Sequence, residues 1–212
     1  MILCIDTATE KAGIGLVMDI KYTFLELDRN NASGGILETI DSLFKKSNSD
    51  FFALNGIFVI KGPGSFTGLR VGISVANQFA HQLQIPIIGI KSDEFYSFMV
   101  KEIDFIYLQT MNKDQIYMSG HGKFAEKYPQ QIIPISESLY ELSSEKNITW
   151  GGQLRLEHKE KFSKIKEAEY EENIGSVWLK VSKKIPLKTN RRYALVEPYY
   201  GKDPTITKTK NQ

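Results

Sequence analysis

Between residues 1 and 92 the hydrophobic positions switch between two periods. Ile2 to Asp6 is a short apolar run, and Gly13 to Met18 followed by Tyr22 to Leu27 adds two more, the spacing of a strand meander with tight turns. From Ile36 to Lys46 the period becomes helical, with Ile36, Ile40 and Leu43 on one stripe and Leu37 and Phe44 widening it. A strand at Ile57 to Lys61, a helix at Thr67 to Leu83 and a strand at Pro86 to Ile90 complete the series. Three strands, then helix, strand, helix and strand, predict an α/β fold with a mixed sheet, because parallel neighbours need crossover connections.

A second unit is expected from about Ile103, dividing the chain into residues 1–102 and 103–212. Phe105 to Thr110 and Gln115 to Gly120 read as paired strands around the polar turn Asn112-Lys113-Asp114. Ile132-Ile133 and Ile148-Thr149-Trp150 are shorter strand candidates, and Glu137 to Lys146 a short helix. Beyond Gly151-Gly152 the sequence is charged and weakly periodic, and no element is assigned there.

The helix from Thr67 carries more apolar surface than one sheet can cover. Leu69, Ile73, Ala76, Ala80 and Leu83 form one stripe; Val71, Val75 and Phe79 form a second, joined to it through Gly72. Together they span about 200°, against roughly 100° for a helix buried on one side. Either the helix around Ile36 to Phe44 covers the second stripe, or a partner subunit does.

Composition adds mainly exclusions. The 212 residues are 42% hydrophobic and 25% charged, an ordinary globular balance, and the net charge of +2 gives no strong electrostatic pull toward nucleic acid. A basic tail with Lys202, Lys208 and Lys210 is the one candidate patch. The single cysteine, Cys4, lies in an apolar run, so no intramolecular disulfide can form. With neither a signal-like leader nor a membrane-length apolar run, a cytoplasmic protein is expected. His81, His121 and His158 stand far apart with no metal-ligand spacing, so no metal site is expected, and isolated histidines are usually surface or satisfied core residues.

The segment richest in chemistry is Gly62-Pro63-Gly64-Ser65-Phe66-Thr67-Gly68-Leu69-Arg70-Val71-Gly72, between a strand and a helix. Glycines here permit either a phosphate cradle at a helix N-terminus or a tightly packed turn. The Walker spacing fails, because Pro63 stands where its first glycine belongs and Leu69-Arg70 replaces Lys-Ser/Thr. The dinucleotide fingerprint fails at Thr67, its third glycine position.

Ile5-Asp6-Thr7-Ala8-Thr9, the glycine segment and Ile85-Pro86-Ile87-Ile88-Gly89 together resemble the bacterial TsaB family, also called YeaZ, over about residues 1–92. The resemblance implies the actin-like, sugar-kinase and heat-shock ATPase fold with two related lobes. It implies a non-catalytic subunit in formation of threonylcarbamoyladenosine at position 37 of tRNAs decoding ANN codons. The partners would be the catalytic paralogue TsaD and the ATPase TsaE; a homodimer is also possible, and tRNA would be met mainly through the complex. The implied partner face comprises Ile36, Leu37, Ile40, Leu43 and Phe44 of the first helix with Arg70, Val71, Ser74, Val75, Gln78 and Phe79 of the second. Asp6, Thr7, Thr9, Gly62, Gly64, Ser65, Thr67 and Gly68 would be vestigial phosphate loops, with no catalytic residue and no cofactor.

The sequence departs from the family at Ala32-Ser33-Gly34, at Thr110-Met111-Asn112 and at Tyr199-Tyr200-Gly201, where the family has His-Ser-Glu, Asp-Ala-Arg and Tyr-Leu-Arg. ATP-using relatives of the fold carry Asp-x-Gly-Thr/Ser in the first hairpin, and Ala8 fills that glycine position. Asp6 and Thr9 then read as turn-stabilising residues. An ATPase or small-molecule kinase using Asp6 and the glycine turn is the alternative. A peptidase, an old label for the family, is less well supported, as neither a metal pair nor a nucleophile triad can be assembled.

Overall fold

The computed structural model describes residues 1–28, 35–187 and 194–201. Ala32-Ser33-Gly34 and the basic tail at Lys202, Lys208 and Lys210 lie outside the described residues.

Strands β1 (Ile2–Asp6), β2 (Gly13–Met18) and β3 (Lys21–Glu26) form an antiparallel meander. Helix α1 (Ile36–Ser47) leads to β4 (Gly56–Gly62), which pairs parallel to β1, and α2 (Phe66–Leu83) leads to β5 (Ile87–Lys91), parallel to β4. Helix α3 (Ser92–Met99) follows. The sheet order is β3-β2-β1-β4-β5. β1 and β4 are central, and Leu3, Cys4, Ile5 and Ile57 to Ile60 are fully buried, which is why they read as continuous apolar runs rather than alternating ones.

The second sheet repeats this plan. β6 (Ile106–Thr110), β7 (Gln115–Gly120) and β8 (Gln131–Pro134) form another meander, followed by α4 (Ile135–Ser143), β9 (Thr149–Gln153), α5 (Leu156–Lys159), β10 (Lys166–Glu167) and α6 (Ile174–Lys184). β9 pairs parallel to β6, and β10 parallel to β9. The order β8-β7-β6-β9-β10 therefore matches β3-β2-β1-β4-β5 strand for strand. α4 and α5 take the places of α1 and α2, and α3 and α6 each follow the last strand of a sheet.

The division expected at residue 102 is crossed by the end of the chain. α6 packs against β2 and β3 of the first sheet and against α3, with Trp178 on Phe95 at 4.5 Å between ring centroids. Its stripe Ile174, Val177, Trp178 and Val181 has helical spacing and is buried. Residues 194–201 also return to the first lobe: Tyr199 N donates to the Lys61 carbonyl at 2.7 Å, and the Asn77 side chain exchanges hydrogen bonds with the Val196 backbone at 2.8 and 3.0 Å.

One expectation about the helices needs correction. Ile36, Ile40, Leu43 and Phe44 are at most 8% exposed within this chain, so they belong to its own core and cannot form a partner face in this conformation. The second stripe of α2 packs in part against the chain's own core. Phe51, in a short 3-10 turn after α1, stands edge-on to Phe79 at 4.9 Å and to Phe44 at 5.6 Å, bridging the helices. Val71, Val75 and Phe79 stay half-buried, while Leu37, Arg70, Ser74 and Gln78 are exposed.

Candidate functional site

The two sequence segments singled out at Asp6 and Gly62 meet between the lobes. After β1 the chain turns through Asp6, whose Oδ1 accepts from the backbone N–H groups of Ala8 (2.9 Å) and Thr9 (3.0 Å), while Oδ2 accepts from the Thr9 hydroxyl. Asp6 is 1% exposed. Both carboxylate oxygens thus hold the turn, as short acidic side chains do when they take the place of a backbone acceptor.

The glycine segment closes onto this turn. Ser65 N donates to the Ala8 carbonyl at 3.0 Å, and Thr7 Oγ1 donates to the Gly68 carbonyl at 2.6 Å. Ser65 also caps α2, its hydroxyl accepting from Gly68 N at 3.2 Å. A Cβ on Gly64 would fall 2.8 Å from both the methyl carbon and the carbonyl oxygen of Ala8, and one on Gly68 would overlap the Thr7 carbonyl. The space these glycines vacate is therefore filled by the first hairpin. Of the expected loop residues, Asp6, Thr7, Thr9, Gly64, Ser65 and Gly68 join in this contact; Thr67 is exposed, and Gly62 starts the turn at a φ of 110°.

Outside this junction lies a cleft of about 590 Å³ lined by both lobes, including Ala8, Glu10, Ser65, Phe66, Gln109, Gln153, Arg155 and Tyr200. Its floor is a polar chain. Glu10 N donates to Gln153 Oε1 (2.6 Å), Gln153 Nε2 to the Tyr107 hydroxyl (3.2 Å), and that hydroxyl to Gln109 Oε1 (2.6 Å). Burial, foremost, pushes the Tyr107 hydroxyl well above its ordinary range. On the first-lobe side Tyr200 packs on Phe66 at 5.2 Å, and the Arg70 guanidinium lies 4.0 Å over the Phe66 ring.

The sequence reading missed Glu10, Gln109, Gln153, Arg155 and Tyr200. Gln109 and Gln153 occupy the same register on adjacent strands β6 and β9, a relation that exists only once the second sheet is paired. The departure at Thr110 has a structural role, because its hydroxyl bonds His158 Nδ1 (2.9 Å) and accepts from Arg155 N (3.0 Å). His158 also meets the Lys113 carbonyl at 3.0 Å and is a satisfied core histidine. His121 is not, since its buried Nε2 has no hydrogen-bond partner. Among the described residues no three His, Cys, Asp or Glu side chains gather as metal ligands do, and no helix is long and apolar enough to cross a membrane.

Two lobes repeating one sheet plan define an α/β protein of the actin-like, sugar-kinase and heat-shock ATPase class, in which the first hairpin and the glycine turn are packed against each other. The match to known families agrees. Residues 28–173 match the family model described as TsaD, tRNA N6-adenosine threonylcarbamoyltransferase. The tRNA threonylcarbamoyladenosine biosynthesis protein TsaB of Escherichia coli K12 is 34% identical over 92 residues, covering 43% of this chain and 40% of that protein. The TsaB protein of Bacillus subtilis 168 is 28% identical over 137 residues, 63% of this chain and 59% of that one. The matched stretches thus span about half the length of these curated relatives. A crystal structure of an uncharacterized protein with similarity to peptidase YEAZ from Pseudomonas aeruginosa superposes with a TM-score of 0.66 at 14% identity, covering 95% of this chain and 99% of that one, which supports the fold. The chain belongs to the family that the TsaD model describes, and TsaB proteins are among its relatives.

Proposed function

We propose that this chain is a non-catalytic scaffold or activating subunit required for threonylcarbamoyladenosine formation at position 37 of tRNAs decoding ANN codons, working in the cytoplasm with a catalytic TsaD-type paralogue and a TsaE-type ATPase. The observation that carries this reading is the closed loop junction. In a phosphate-transferring member of the fold, the first hairpin and the glycine turn must leave room for phosphate oxygens and their cation. Here Ala8 abuts Gly64, the Thr7 carbonyl oxygen abuts Gly68, and both Asp6 oxygens are engaged in the turn. A carbonyl oxygen held against the start of α2 also presents negative partial charge where an anion would otherwise be drawn by the helix N-terminus.

Partner binding is assigned to a reduced version of the expected face. Leu37 on α1 and Arg70, Val71, Ser74, Val75, Gln78 and Phe79 on α2 keep exposed or half-exposed side chains, and Phe52, 82% exposed, extends the apolar area beside Phe51. Apolar side chains left at the surface in this number favour a protein partner. The same face suits a second copy of the chain.

Reconstitution tests the proposal. The purified chain, a TsaD-type transferase, a TsaE-type ATPase, tRNA and threonylcarbamoyl-adenylate are combined, and the modified nucleoside is measured by mass spectrometry. Modification is expected only when this chain and the transferase are both present. Modification by this chain alone would overturn the assignment, as would ATP hydrolysis by it alone at a rate matching the complex.

A further inference from the structure

The two lobes repeat one sheet plan, but the space beside the first helix of each is filled differently. In the first lobe the connection 48–55 between α1 and β4 places Phe51 between the helices, 5.6 Å from Phe44 and 4.9 Å from Phe79. In the second lobe the equivalent connection, 144–148 between α4 and β9, is shorter and contains no aromatic residue. α5, in the place of α2, has 4 residues against 18. A pocket of about 520 Å³ opens at this point of the plan, lined by the end of α4, the connection itself and residues 161–166 after α5. Leu139, Leu142, Ile148 and Ile165 give it an apolar lining with no aromatic side chain. Leu142 and Ile148 belong to the second core, and Leu139 and Ile165 pack against it only partly buried. A pocket of this volume lies within the range of small-molecule sites.

The charged groups of the lining decide the polarity of an occupant. They are Lys161, Lys164, Lys166 and Glu145. Glu145 Oε1 accepts from Lys127 Nζ and from the Tyr128 hydroxyl (2.9 Å), and these bonds, that of Lys127 foremost, hold its carboxyl below the ordinary range. Its charge is thus matched from outside the pocket. Lys166 lies 3.6 Å from Glu102, while Lys161 and Lys164, three apart around the 3-10 turn at Glu160–Phe162, have no ion pair or side-chain hydrogen bond among the described residues. The excess is positive, and lysine stems are long enough to carry their ammonium groups over the mouth while covering apolar surface. The stretches outside the described residues do not supply the counter-charge, because 29–34, 188–193 and 202–212 are each net basic in their side chains. A second copy meeting this face by two-fold symmetry would set the same lysines against each other. We propose that the pocket binds a small aromatic carboxylate, its ring in the space that Phe51 takes in the first lobe and its carboxylate beside Lys161 and Lys164.

This inference does not rest on the tRNA-modification reading and is tested without it. The full isotope-labelled chain is titrated with hydrocinnamate and with indolepropionate, followed by amide chemical shifts and by calorimetry. Acetate supplies the head group alone, and phenylpropylamine a ring with the opposite charge. At least one aryl carboxylate is expected to saturate a single site, with shifts centred on residues 139–148 and 161–166, and to bind about tenfold or more above the amine and acetate. Lys161 and Lys164 are exposed, so the double variant Lys161→Gln with Lys164→Gln should keep its fold by circular dichroism and weaken binding about fivefold or more. No saturable binding, equal binding of the amine, an unchanged affinity in the double variant, or shifts centred elsewhere would each overturn the proposal.

Discussion

The methyl group of Ala8 faces the Cα of Gly64 so closely that a side chain added at Gly64 would lie 2.8 Å from it. One contact thus joins the first hairpin to the glycine turn, and Ser65 N on the Ala8 carbonyl locks it. The proposed non-catalytic role rests largely on that pair.

Gly68→Val and Gly64→Val are expected to lower stability, because each new Cβ meets backbone rather than the end of a flexible side chain. Overpacking of this kind costs about 1–3 kcal/mol or more. For a chain of this size each kcal/mol is worth roughly 2–4 °C in Tm, so thermal melts should show losses of at least several degrees. An unchanged Tm together with loss of ATP binding shown by the wild type would favour the kinase alternative.

Asp6→Asn should fold and should reduce reconstituted modification only modestly. The amide oxygen can still accept from Ala8 N and Thr9 N, while the Thr9 hydroxyl loses its charged acceptor, a change of about 1–3 kcal/mol in turn stability. Melting curves and product-nucleoside analysis report the two effects separately. A complete loss of modification in a complex that still assembles would assign the carboxylate to chemistry.

On the proposed partner face, Val75→Asp and Phe79→Asp should abolish pairing with the transferase, since an unpaired charge in a desolvated interface costs about 2–5 kcal/mol. Phe79 also packs on Phe51, so its variant will lose some stability of its own. Leu37→Asp is the cleaner probe, because that side chain is 55% exposed. Size-exclusion chromatography with circular dichroism separates lost pairing from lost fold; a folded Val75→Asp that pairs normally removes this face from the proposal.

Alkaline titration should be cooperative. Burial is the foremost cause raising the hydroxyls of Tyr96, Tyr107 and Tyr117, and it also pushes Tyr170 up to about 12. A folded-state value raised above the unfolded one means stability fully present below about pH 10 and lost as pH rises through the folded value. Phenolate absorbance followed alongside far-ultraviolet circular dichroism should show these tyrosines ionising together with unfolding above pH 10, after the exposed tyrosines. Complete ionisation of all tyrosines while the fold persists would contradict this burial.

The first sheet was legible because its order follows local rules. Runs at Ile2, Gly13 and Ile57 are short apolar stretches of strand length, the glycine segment stops one element and starts the next, and short connections force the meander and crossovers. The reading of Asp6 as a turn residue also rests on local chemistry, since its acceptors serve N–H groups two and three residues on.

Tertiary structure decided the rest. Whether Ile36, Ile40, Leu43 and Phe44 face a partner or the chain's own core depends on what packs against α1, and periodicity cannot name the covering element. The stripe Ile174, Val177, Trp178 and Val181 was not picked out in the charged sequence beyond Gly152, and its destination on the first lobe's sheet depends on α6 crossing back over a long stretch of chain. Gln109 comes together with Gln153 only through strand pairing, because sequence periodicity governs which face a residue takes and distant pairings arise only when separate surfaces are buried together.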